Sequence, residues 1–261
     1  MKHSSGFTLI EIMVSMTIFM IIMTGIYQTF HYQQKAFIAQ EHVVNMQQEA
    51  RAGQFFLARD IRMAGFDPTA TAEIKVGGNK VTTATAGEFQ FWVDDNFDGN
   101  YCVDESDNSF SCTNDERERV RMTMKDANGN EDTDGVCDNP PCRLAREYNN
   151  GGLQPVAESI ERLEFCYELM DGTQTLAPTL TERKEIAAVY VSTLYRTSVR
   201  IQNYKNSLTY VPAAADVNLT TDFDGARSAV WGPFNDGFRR RLTVVKHRCR
   251  NMGLDPFGDA G

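Results

Sequence analysis

Gly6-Phe7-Thr8-Leu9-Ile10-Glu11 begins the stretch that decides the fold, and the apolar run that it opens continues to Phe30. Within that run Glu11 is the one side chain expected to carry a charge. As an α-helix these residues extend roughly 36 Å, enough to cross the hydrocarbon core of a bilayer. Lys2 precedes the run, which places the short leader on the cytoplasmic side. A secretory signal would need a small-residue cleavage site after the apolar run. Here the run ends Ile26-Tyr27-Gln28-Thr29-Phe30-His31, and the small residue Gly6 stands before it instead. Cleavage at Gly6 leaves the apolar helix on the mature chain. A plain membrane anchor accounts for the helix but not for Glu11, because a carboxylate in lipid costs about 3 kcal/mol.

Residues Gly6 to Glu11, with the apolar helix that follows, resemble the processing site of type IV prepilins and type II secretion pseudopilins. The resemblance implies cleavage after Gly6 by prepilin peptidase, N-methylation of Phe7, and an assembly role for Glu11. It implies further partners: other minor pilins, the major pilin, an inner-membrane assembly platform and a tip adhesin. The expected location is the inner membrane, spanned once with the N-terminus cytoplasmic and the head periplasmic, and then the pilus at the cell surface. The physics of Glu11 is readable. Cleavage creates an α-amino group at Phe7, one helical turn away on the same face. An ion pair with that ammonium, or with a neighbouring subunit's, relieves the cost of the carboxylate in lipid.

No proline occurs before Pro68, and Val43, Met46, Ala50, Gly53, Leu57, Ile61 and Ala64 recur in steps of three and four. That spacing marks one face of an amphipathic helix. One helix is therefore expected from Phe7 to about Ala64, with Gly25 and Gly53 as soft points and Gly65 and Pro68 as stop signals. The stretch Phe55 to Phe66 resembles the end of this helix in PilW-like minor pilins; J-type pseudopilins usually lack its Met63-Ala64-Gly65-Phe66 ending. Beyond it, strands are expected at Glu88–Val93, Arg117–Met124, Arg143–Tyr148, Ser159–Glu168, Ile186–Arg196 and Arg240–Arg248. No strand–helix alternation occurs, so a parallel sheet is excluded in favour of an α+β fold: one long helix packed on an antiparallel sheet. The expected organisation is a leader at 1–6, a membrane-spanning or filament-core half-helix at 7–30, and an amphipathic half at 31–66. A β-rich head at 67–261 follows, containing an acidic insert at 94–142.

The net charge is −9, from 35 acidic against 26 basic residues, which argues against broad nucleic-acid binding. The basic run Arg239 to Arg250 is read as a solvated strand or as ion-pair partners, because alternation splits its charges between two faces. Asp94, Asn96, Asp98, Asn100 and Glu105, with Gly99 at the turn, match the spelling of a calcium loop. A strand precedes them, so the alternative is an acidic turn without an ion. No cofactor is otherwise required. A second acidic run, Asp126 to Gly135, fits that spelling less well. The six cysteines contain no metal-type spacing and suit disulfides in an oxidising compartment. Short separations suggest Cys102–Cys112 and Cys137–Cys142, leaving Cys166 with Cys249. No nucleophile–base pair, catalytic metal cluster or phosphate-binding glycine loop is present, so an enzyme is the weakest reading. The leading expectation is a minor pilin that primes or caps pilus assembly near the tip. A J-type pseudopilin and a tip binding or adhesion module are the alternatives.

Overall fold

The computed structural model describes residues 7–67, 80–95, 118–149, 151–216 and 230–252. Helix α1 runs without interruption from Leu9 to Met63. The chain divides into two units, residues 1–44 and 45–261, and α1 passes through both. The helix stops where expected: Gly65 takes a positive φ of 69°, and its N–H donates to the Trp92 carbonyl at 2.9 Å. A left-handed residue just past the last turn is the usual way to end a helix, and glycine adopts it without a Cβ clash. Pro68 lies outside the described residues.

The strands are β1 (Val81–Ala84), β2 (Phe89–Trp92), β3 (Arg119–Lys125), β4 (Glu131–Asp132), β5 (Cys142–Tyr148), β6 (Gln154–Leu169), β7 (Gln174–Thr175), β8 (Ile186–Arg196) and β9 (Arg240–Arg248). They form one sheet in the order β1-β2-β3-β5-β6-β8-β9, with β4 on β3 and β7 on β6. Every pairing is antiparallel. The fold is therefore α+β, a long helix on an antiparallel sheet. All six expected strands are present, within a few residues at their ends. β3, inside the acidic 94–142 segment, is an interior strand bonded to both β2 and β5.

Alternation explains the core. Phe89 and Phe91 on β2, and Val120, Met122 and Met124 on β3, are buried, and Phe89 stacks near Phe165 and Tyr167 of β6. In the second unit Met46, Ala50, Gly53, Leu57, Ile61 and Ala64 are all buried, the face the spacing marked. Polar ties add orientation. Arg146 on β5 pairs with the buried Asp60, Gln54 donates to Thr193 and Thr243 at 3.3 and 3.2 Å, and Glu49 accepts the Glu158 N–H at 2.8 Å.

Gly53 is not a soft point in the helix but a point of close approach. A Cβ there would meet the Tyr195 hydroxyl and come within 3.1 Å of the Ala157 Cβ. Gly53→Ala should therefore destabilise the protein by about 1 kcal/mol. Overpacking costs roughly 1–3 kcal/mol and outweighs the helix-propensity gain of about 1 kcal/mol. Thermal melts of the full chain in detergent check this, with Gly25→Ala, which meets nothing within 4 Å, as the control.

Cys137 and Cys142 form a disulfide with a Cα–Cα distance of 5.8 Å, closing the loop that leads into β5. Cys102 and Cys112 lie outside the described residues. The pairing of Cys166 with Cys249 is corrected: both are free and buried. Cys166 sits on β6 opposite Tyr190, and Cys249 follows β9, bonding to Ala187, so β8 runs between them. Strands two apart are about 10 Å distant, beyond the roughly 7 Å that a disulfide spans. Burial pushes both thiols up to about 12, which keeps them protonated at neutral pH.

The basic run also resolves by alternation. The Arg240 side chain is fully buried, paired with Glu161 and, at 2.6 Å, with Asp236, and its guanidinium lies 3.8 Å from the Phe234 ring centre. Lys246 pairs with Glu168 at 2.6 Å.

Candidate functional site

The site is the start of α1. Thr8 precedes the first helical residue, and its side chain and that of Glu11 grip each other. The Thr8 N–H and hydroxyl each donate to Glu11 Oε2 at 2.9 Å, and the Glu11 N–H donates back to Thr8 Oγ1 at 3.4 Å. This is a capping box: Thr-x-x-Glu satisfies two backbone donors that a helix start leaves open. Sequence reasoning read Glu11 only for its charge, although the spacing Thr8-Leu9-Ile10-Glu11 carried this second signal. The acid thus has a local role whether or not the leader is attached. Its second oxygen, Oε1, makes no hydrogen bond among the described residues.

From Phe7 to Phe30 the large apolar side chains are exposed, Phe7 at 86% and Ile21 at 69%. The few polar groups along the run are handled inside the helix. Ser15, Thr17, Thr24 and Thr29 each donate a hydroxyl to the carbonyl four residues earlier, at 2.7 to 2.9 Å. In lipid no water completes such groups, so internal bonding is what the environment demands. The helix is long and apolar enough to cross a membrane. Gly6, the expected cleavage site, lies outside the described residues; Phe7 is the first residue described.

Of the expected calcium ligands only Asp94 is described. Its residue is fully buried, and its N–H donates to the Phe66 carbonyl at 2.8 Å. Asn96, Asp98, Asn100 and Glu105 lie outside the described residues. The second acidic run is internally satisfied. Asp126 accepts from Asn128 and Asn130 backbone N–H groups at 2.9 and 2.7 Å, and from the Asn130 and Asn139 side-chain amides at 3.1 and 3.0 Å. Burial raises its pKa, but the amide donors, Asn139 foremost, outweigh it and hold the carboxyl below its ordinary value. Asp132 lies beside Cys137 and Cys142, whose thiols the disulfide has consumed, so the trio offers no metal its sulfur ligands. Burial first, then the neighbouring carboxylates, push Asp132 up to about 6 against the backbone N–H it accepts from Asp138.

Comparison with known proteins agrees with this N-terminal geometry. The family described as the prokaryotic N-terminal methylation motif matches residues 1–27. No curated protein matches the chain by sequence. Among solved structures the fold is similar to a type IV-like pilin from Thermus thermophilus, with 13% identity, 79% of this chain and 97% of that chain covered, and a TM-score of 0.43. The motif implies processing by prepilin peptidase and assembly with other pilins, the part of a structural subunit and not of an enzyme. With its methylation motif leading into one long apolar helix and an antiparallel sheet, the chain resembles type IV prepilins.

Proposed function

We propose that the chain is a minor pilin that primes or caps assembly of a type IV pilus near its tip. The observation that carries this is the N-terminal arrangement: a methylation motif, an apolar helix that continues directly from it, and a carboxylate already locked by Thr8 at the helix start. In this reading cleavage after Gly6 frees the Phe7 amine for methylation. The helix holds the chain in the inner membrane with the head periplasmic, then enters the filament core. Glu11 keeps Oε2 on Thr8 and offers Oε1 to an ammonium, its own or a neighbour's, which removes an uncompensated charge from lipid.

Deleting the gene and scoring surface pili against protein secretion tests the assignment. Loss of pili with secretion intact is the expected result. Loss of secretion with pili intact would reassign the chain to the J-type pseudopilins. Intact pili that no longer attach would make it a tip binding module.

Calcium at Asp94, Asn96, Asp98, Asn100 and Glu105 is a subsidiary proposal, supported by residue spacing and oxygen chemistry. The chain should melt higher in millimolar calcium, because a ligand that binds only the folded state stabilises it by mass action. Asp98→Ala should abolish the gain. Calorimetry without heat of binding, and a melting temperature unchanged by chelation, would leave an acidic turn.

A further inference from the structure

β9 ends the sheet path, so among the described residues its outer edge has no partner strand. The ladder to β8 fixes which groups face outward. Thr197 N–H bonds to the Arg239 carbonyl and Cys249 N–H to the Ala187 carbonyl, so odd-numbered residues face β8. The backbone N–H and C=O of Leu242, Val244 and Lys246 therefore point away from the sheet. Such a row is a template for another strand. Alongside it, between β9 and the second half of α1, runs a groove of about 410 Å³. Arg51, Phe55 and Arg62 line it from the helix, and Arg241, Val245 and His247 from β9. None of its described lining residues is acidic, although the whole chain carries a charge of −9.

Arg51, Arg62 and Arg241 are exposed and form no ion pair among the described residues, whereas Arg240 and Lys246 on the same strand are paired. Two buried polar atoms at the groove, Gln54 Oε1 and His247 Nε2, also have no hydrogen-bond partner among the described residues. His247 is 4% exposed. Burial, then the Arg62 charge, push its pKa down to about 4, so the ring is neutral at pH 7 and Nε2 is available for one hydrogen bond.

We propose that β9 accepts an added strand: an extended acidic segment of a companion filament subunit pairs with the free edge and lays alternate carboxylates against Arg51, Arg62 and Arg241. Main-chain bonds supply affinity in this mode, and alternate side chains supply specificity. The arginines select acidic residues, and Phe55 and Val245 give the apolar positions a surface. That the donor is a filament subunit rests on the function proposed above; the chemistry of the edge does not.

The probe is a fluorescent octapeptide of alternating Glu and Val, titrated into the full chain in detergent micelles and read by anisotropy. Saturable binding is expected, with none for the Lys-Val counterpart. Arg241→Glu should weaken it about tenfold or more, as expected for a lost charge-assisted contact. Val244→Pro should do the same, because proline deletes one outward N–H and is tolerated on an edge. A peptide N-methylated at alternate amides probes the same bonds without altering the protein and should also fail to bind. No binding by the Glu-Val peptide would overturn the proposal. So would full binding by the N-methylated peptide, which would show a charged patch without strand pairing. Tighter binding of oligothymidylate, lost in Arg241→Glu, would make the groove a nucleic-acid surface instead, and self-association lost in that variant would make it a contact between copies. Peptide binding is read on the isolated chain, so it fails or succeeds independently of piliation.

Discussion

Chains carrying Glu11→Ala are expected to insert in the membrane normally and to be missing from the filament. Removing the carboxylate makes insertion easier, since a charged acid in lipid costs about 3 kcal/mol. What disappears is the difference between the lone subunit, where the acid is poorly compensated, and the assembled one, where an ammonium pairs with it. About 3 kcal/mol of that difference corresponds to roughly a hundredfold in association. Co-purification with partner pilins should therefore fall to background while membrane content stays the same. Glu11→Gln should fail as well, because its amide supplies no charge. Thr8→Val separates the two roles of the acid: it breaks the capping box, costs about 1 kcal/mol at the helix start, and leaves the charge in place, so assembly should drop only partly. Wild-type co-purification by Glu11→Ala would remove Glu11 from the assembly step.

Arg240→Met is expected to cause a large loss of stability. The Arg240 side chain is fully buried, and Asp236 and Glu161 are both arranged around it. Removing the cation takes the ion-pair partner from Asp236 and leaves Glu161 with Arg196 alone, at 3.6 Å, where water reaches both carboxylates incompletely. Breaking such a pair from one side costs roughly 3 kcal/mol, which for a chain of this size lowers the melting temperature by about 6–12 °C. The effect has a pH signature. The hydrogen bond from Arg240, reinforced by the Phe238 N–H, holds the Asp236 carboxyl below its ordinary value against its burial. A depressed carboxyl contributes stability above its unfolded pKa and loses it as pH falls through its folded one. The gap between wild type and variant should thus be full at pH 7 and shrink below about pH 4. A gap that stays constant on acidification would mean that lost packing, not lost charge pairing, dominates.

Much of the head was legible in the sequence because burial imposes a period. Met46, Ala50, Gly53, Leu57, Ile61 and Ala64 fall in steps of three and four because only that spacing keeps one helix face on a sheet. Phe89 and Phe91, and Val120, Met122 and Met124, alternate because strand side chains do. What stayed hidden depends on contacts between segments far apart in sequence. β4 and β7 are two residues each and carry no period to read. β1, Val81-Thr82-Thr83-Ala84, buries only its two ends, so it shows no alternation either. The Cys166–Cys249 pairing failed because cysteine spacing says nothing about the order of strands, and β8 lies between theirs. Gly53 looked like a flexible point until Tyr195, distant in the chain, was seen against it. At the N-terminus the reverse held: Thr8 and Glu11 are three residues apart, and the capping box was present in the sequence to be read. That β9 is a strand was legible; that it stands at the edge of the sheet was not, because edge position belongs to the topology.

If Gly6 is the processing point, the apolar helix stays on the mature chain. Mass spectrometry of the protein recovered from the membrane fraction reads this directly. A chain that begins at N-methyl-Phe7 is the expected result. A chain that still begins at Met1, or one cut beyond Phe30, would contradict it.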